Sequence, residues 1–197
     1  MALRIQVTLW HKHGDMPHQR ARKPRLPLDA RRLDETALFY VGRFATSRAK
    51  LMAYLERKVR ERGWEGDEDP DVAAVAERLV GLGYVDDAAF ALAKARTLTT
   101  RGYGAARVRQ SLHAAGIGEE DGAGARDLAA SSAVSAAIKF AKRRGLGPYA
   151  TQDLDPRGRE KALSAMIRAG HGFALAKAIL ALNPGAEVDE EQLGDMR

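Results

Sequence analysis

The side chains in this sequence whose types and spacing could do chemistry are mostly arginines and lysines, and that chemistry is the capture of anions. Arg101, Arg107 and Arg109 surround one glycine-rich turn, while Lys139, Lys142, Arg143 and Arg144 close a helical pattern further on. Lys50 and Arg57 share a face of an earlier segment with Tyr54. A guanidinium presents a planar fork that pairs with a carboxylate or a phosphate through two hydrogen bonds at once. Part of this basicity has a bland source, because cations near helix C-termini complement the helix dipole, and Arg143 and Arg144 fit that description. The rest reads as a surface for protein carboxylates or nucleic-acid phosphates.

Covalent and metal chemistry find little support. No serine stands in a nucleophile motif. Gly102-Tyr103-Gly104 begins like a phosphate loop but lacks a third glycine and a preceding strand. Asp86-Asp87 reads as a helix cap rather than as an acid/base pair or a Mg²⁺ site. Asp67, Glu68, Asp69 and Asp71 read the same way, as cap and dipole chemistry. His113 and His171 stand alone. His11, His13 and His18 have no further His or carboxylate at metal-ligand spacing. The expectation is a protein that is not an enzyme and uses no cofactor or metal.

Stepping from these residues to what must hold them, composition favours helices. The 197 residues are 45% hydrophobic but only 6% aromatic. Alanine and leucine dominate, which suits helices packed through small contacts. A net charge of +6 points to an anionic partner without bearing on the fold. There is no cysteine, hence no disulfide or thiol chemistry. The start lacks a signal-peptide pattern, and no run approaches the ~18 apolar residues of a membrane helix. A cytoplasmic monomer with no membrane association is expected.

Residues 1–32 read as a basic, disordered tail broken by Pro17, Pro24 and Pro27, with Met1–Trp10 alternating as a short strand would. Residues 33–85 read as three helices. The first runs from Leu33 to about Ala45 on Leu38, Val41 and Phe44. The second, capped by Ser47, carries Leu51, Leu55 and Val59. The third, opened by Asp69-Pro70, carries Val72, Val75, Leu79 and Leu82. Residues 86–132 give a helix capped by Asp86, the turn at Tyr103-Gly104, and a basic helix with Val108 and Leu112 on one face. A third helix is expected from about Gly124 to Ala130, after a loosened joint at 118–124. Residues 133–185 repeat the plan, with Val134, Ala137, Ile138 and Ala141 on its first helix. Leu163, Met166 and Ile167 follow on the second, and Phe173, Ala176, Ile179, Leu180 and Leu182 on the third. Residues 186–197 read as an acidic, frayed end.

An internal period supports this parsing. Gly63-Trp64, Gly116-Ile117 and Gly172-Phe173 occupy one place in each unit, at spacings of 116 − 63 = 53 and 172 − 116 = 56. Periods in the tens of residues are what stacked repeats produce. The fold class is therefore all-α: an elongated array of three tandem three-helix repeats with disordered N- and C-terminal tails.

The stretches GYVDDAAFA (83–91) and RGYGAARVRQSL (101–112) and the closing Gly116-Ile117 resemble the central repeat of the RecX family, bacterial modulators of RecA-type recombinases. The first unit is similar through Ser47, Lys50-Leu51, Leu55 and Gly63-Trp64, and the third through KRRGLG (142–147) and AGHGFALAKAIL (169–180). Where the family has a plainer Arg-Gly-Phe, this chain has Ala169-Gly170-His171-Gly172-Phe173. The resemblance implies three tandem repeats that bind a RecA-type recombinase filament on single-stranded DNA, with weak non-specific DNA contact besides. A direct DNA-binding helical protein is the alternative, because a tight turn before a basic helix has a helix-turn-helix character.

Overall fold

The computed structural model describes residues 26–194, and all the named elements are helical. In chain order they are α1 (Ala30–Val41), α2 (Arg48–Arg62), α3 (Val72–Gly81), α4 (Asp87–Thr100), α5 (Ala105–His113), α6 (Glu119–Ser131), α7 (Ala133–Arg144), α8 (Pro156–Arg168), α9 (Phe173–Ala181) and α10 (Glu190–Gly194). Their caps are short acids and hydroxyls whose side chains accept free N–H groups in the first turn. Asp29, Ser47, Asp71, Asp86 and Asp155 do this for α1, α2, α3, α4 and α8.

The buried side chains fall into three separate clusters that follow one another along the chain. Leu33, Leu51, Leu55 and Leu79 centre the first, within α1–α3. Val108 and Leu112 centre the second, packed among Ala91, Ala95, Ala125 and Ala129 of α4–α6. Phe140, Met166, Leu175 and Ile179 centre the third, within α7–α9. The buried residues of each cluster come from one unit, with Tyr103 of the second packed against the third cluster, so each triplet largely holds itself together as a repeat array requires.

Several local readings are corrected. The first helix starts at Ala30, because Asp29 caps it, and Leu28 is fully buried. Leu28 N–H donates to Gly63 O at 2.9 Å and its carbonyl accepts from Glu65 N–H at 2.8 Å, strapping this segment beside Trp64. The rest of the expected basic tail, with its histidines and proposed strand, lies outside the described residues. Helix α1 ends at Val41 rather than near Ala45; its buried side is Leu33 and Ala37, while Leu38 and, beyond its end, Phe44 are exposed. Asp71, not Asp69, caps α3, and Leu82 is exposed as its C-cap.

The expected joint at 118–124 is helical. Glu119, Glu120 and Asp121 occupy the first turn of α6, where negative charge favours the helix dipole. Gly122 is buried beneath the Arg126 side chain of the same helix, and α6 packs along α4. In the acidic end, α10 returns a buried Leu193 to the third cluster beside α7 and α9. Phe140 is buried in that cluster, whereas Phe173 is exposed.

The repeat register shifts in the third unit. Gly63, Gly116 and Gly170 follow α2, α5 and α8, and all have positive φ (81°, 69° and 92°). The spacing is thus 116 − 63 = 53 and 170 − 116 = 54. Gly172 instead has φ −64° and caps α9. His171 therefore occupies the slot that Trp64 and Ile117 fill in the other units.

Candidate anion-binding seam

Two seams join the three units, and they differ in kind. At the first, the buried Ser47 hydroxyl donates to Ala115 O at 2.6 Å while its oxygen also caps α2. Arg48 N–H donates to Asp87 Oδ1 at 2.8 Å, and the Arg48 guanidinium bonds Glu77. That bond and the charges of Glu77 and Asp87 hold Arg48 above the usual arginine range. Lys50 sits with Nζ 5.4 Å from the Phe90 ring centroid, reaching from α2 to α4.

The second seam is made of backbone. Gly104 N–H donates to Ala169 O at 2.9 Å, and Ala106 N–H donates to Gly170 O at 3.1 Å. The chains approach so closely that a Cβ on Gly104 would stand 2.2 Å from Gly170 O, and one on Gly170 would stand 2.3 Å from Arg107 N. Gly170 also needs its φ of +92°, which side-chain-bearing residues rarely adopt.

His171 closes this seam. Its Nε2 lies 3.1 Å from Gly102 O, so the neutral ring carries its proton on Nε2 and donates there. Its ring lies 5.4 Å from Phe140, and Nδ1 is buried without a hydrogen-bond partner. Burial pushes the imidazole below its ordinary range. The nearby Arg143 charge acts in the same direction, and the Gly102 bond opposes both.

The sign of the pH effect follows. A group whose folded pKa is depressed stabilises the fold above its unfolded pKa and loses that contribution as pH falls through the folded value. Thermal stability should therefore drop as pH is lowered below the ordinary imidazole value of 6.5. His171→Ile, which restores the apolar residue found at Ile117, should flatten that part of the profile in calorimetry.

Beside the seam lies an open cleft of about 460 Å³. Tyr103 and Arg107 line it from the second unit, and Phe140, Arg143, Arg144 and Arg168 from the third. Arg143 donates to Arg101 O across the seam, and the Arg143 and Arg144 guanidiniums lie 5.4 and 5.8 Å from the Phe140 centroid. Arg107 donates to Gln110 at 2.8 Å. Among the described residues, none of the four cleft arginines has a carboxylate within ion-pair distance.

The expected basic residues thus divide. Arg107, Arg143 and Arg144 meet at the cleft, with Arg101 joined through its carbonyl. Arg109, Lys139 and Lys142 are exposed but do not line it. Lys50 and Arg57 belong to the first unit, where Arg57 lies 5.5 Å from the Tyr54 centroid and 3.7 Å from Glu61. Arg168 is an addition to the basic set, and Tyr103 of the central turn lines the cleft beside it. The sequence does not single out Arg168: arginine stands directly before a helix-stopping glycine at Arg62-Gly63, Arg101-Gly102 and Arg144-Gly145, but Ala169 separates Arg168 from Gly170.

Among the described residues no helix is long and apolar enough to cross a membrane. No group of three or more His, Asp or Glu there is placed to hold a metal ion.

Comparison with known proteins fits this architecture. Residues 86–125, the second unit, match the second three-helix domain of RecX. The regulatory protein RecX of Myxococcus xanthus is 33% identical over 162 residues, covering 77% of this chain and 86% of that protein. The regulatory protein RecX of Agrobacterium fabrum is 27% identical over 164 residues, covering 81% and 86%. The crystal structure of RecX from Lactobacillus salivarius shares the fold at a TM-score of 0.54 and 18% identity, over 76% of this chain and 93% of that one. A second crystal structure of regulatory protein RecX does so at 0.55 and 22%, over 76% and 70%. From a relative one-third identical along most of its length and from a shared all-helical fold, the chain belongs to the RecX family of regulatory proteins.

Proposed function

We propose that this protein binds the filament that a RecA-type recombinase forms on single-stranded DNA. It inhibits the filament's ATPase, growth and DNA strand exchange, without chemistry of its own. The observation that carries this reading is the array itself: three units with separate cores, joined by thin seams, with basic side chains in each. Contacts spread over three linked units add through effective concentration, so individually weak contacts can hold a repeating polymer. Occupying the filament in this way obstructs incoming duplex and added protomers. The partner comes from family membership together with this form.

The test is a recombinase reaction on single-stranded DNA. Addition of the protein should lower ATPase and strand exchange, and unchanged rates at equimolar or higher doses would reject the proposal. Reversing charge at Arg107 and Arg109 together should raise the half-inhibitory dose roughly tenfold or more, if each guanidinium makes a charged hydrogen bond. Helicity should remain intact in that variant, because both side chains are exposed.

A specific observation also favours direct DNA binding: the carboxylate-free arginine cleft at the second seam. Tight, sequence-selective binding to naked duplex with a steep salt dependence would favour that reading over filament binding.

A further inference from the structure

The second seam carries an inference beyond filament recognition. We propose that the seam cleft binds the phosphodiester backbone of a single-stranded nucleic acid, and that occupancy locks the second and third units together.

Four arginines, Arg107, Arg143, Arg144 and Arg168, line one concavity that no Asp or Glu lines. Their mutual repulsion is uncompensated, and it acts across the seam because Arg107 belongs to one unit and the others to the next. An anion in the cleft removes that repulsion and adds charged hydrogen bonds from both sides. A ligand held by both units binds only the docked arrangement, so binding and docking must strengthen each other. Arg143 ties the two most directly, since it lines the cleft and donates to Arg101 O across the seam.

The lining decides the ligand class. It offers four arginines, whose forks match phosphate oxygens, two aromatic rings on which any base can stack, and Ala165 and Ala169. That suits a sugar-phosphate backbone and sequence-independent binding. A flexible single strand can bend its phosphates into an open cleft of about 460 Å³, whereas a duplex presents them on a stiff, convex rod. An acidic peptide fits less well. Its carboxylates hang on rotatable side chains that must be ordered, and Gly104 and Ala106 N–H are already bonded across the seam.

The test uses the full chain and fluorescein-labelled oligothymidylate, without recombinase, so its failure is separate from failure of the filament reading. Arg144→Glu/Arg168→Glu should weaken binding at least about tenfold and make the salt dependence shallower by about 1.4 in log–log slope. The Gln pair at the same positions should show the same direction and keeps anions away from two helix C-termini, which guards against a folding artefact. Arg109→Glu/Lys139→Glu, with the same charge change outside the cleft, should lose clearly less. Exchange at the Gly104 and Ala106 amides should slow about tenfold when oligonucleotide is present at ten times its Kd.

Several results would overturn the proposal. Equal losses from the two charge-reversed pairs would mean diffuse attraction. Unchanged exchange at Gly104 and Ala106 despite binding would remove the coupling. Poly-glutamate competing as well as oligothymidylate of equal charge would assign the cleft to an acidic protein. A tenfold preference between oligothymidylate and oligodeoxycytidylate, which share one backbone, would contradict backbone recognition.

Discussion

Gly104→Ala is expected to undock the second and third units while leaving each of their cores folded. The added methyl would sit 2.2 Å from Gly170 O and 2.6 Å from His171 N, and both are backbone atoms that no rotamer change can move aside. Gly104 has φ −83°, which alanine accepts, so the effect isolates the close approach from conformational strain. Overpacking of this kind costs about 1–3 kcal/mol, and the seam can relieve it only by opening. Opening breaks the Gly104–Ala169 and Ala106–Gly170 bonds and exposes His171. Circular dichroism should change little, while exchange at Gly104 and Ala106 accelerates and small-angle scattering broadens. Retained protection of those amides would mean that the seam adapts.

Leu112→Ala should act in the opposite way, by dissolving a core rather than a joint. Leu112 is 1% exposed at the centre of the second cluster. The buried residues that α4 and α6 bring to that cluster are alanines, whose side chains are too short to fill the space left behind, with Phe90, Leu98 and Leu128 packed at its edge. The loss should therefore approach the upper part of the ~2–5 kcal/mol range for a buried leucine. Because α4–α6 contribute to both seams, through Ala115 O at one and Gly104 N–H at the other, this substitution should also disconnect the outer units. A urea titration should show a transition for the middle unit ahead of the rest. Reversing Arg107 and Arg109 should leave that titration almost unchanged.

Much of this was legible in the residues themselves. Ser47 and Asp86 mark helix starts, Gly63, Gly102 and Gly116 mark stops, and the leucines at four-residue intervals mark the inward faces. Where reading failed, a tertiary contact overrode a local signal. Gly122 and Gly124 look like breakers, yet the packing of α6 along α4 and the acids in its first turn keep that stretch helical. The acids of the C-terminal end mask the single buried Leu193. Gly172-Phe173 mimics the repeated glycine–apolar pair, and the true counterpart is hidden because a histidine stands in an apolar slot. Of the proposed anion-binding residues, Arg107, Arg143 and Arg144 follow from sequence. Their meeting with Arg168 does not, because it depends on two backbones touching across the seam.

The strict succession of the three cores has a consequence for biosynthesis. Each cluster is drawn from one contiguous stretch, 28–85, then 91–129, then 134–193. A triplet emerging from the ribosome already contains every partner it needs, and synthesis at roughly 5–20 residues per second leaves it seconds to collapse before the next appears. Nascent chains arrested after the first or second triplet should consequently resist protease up to the last completed one.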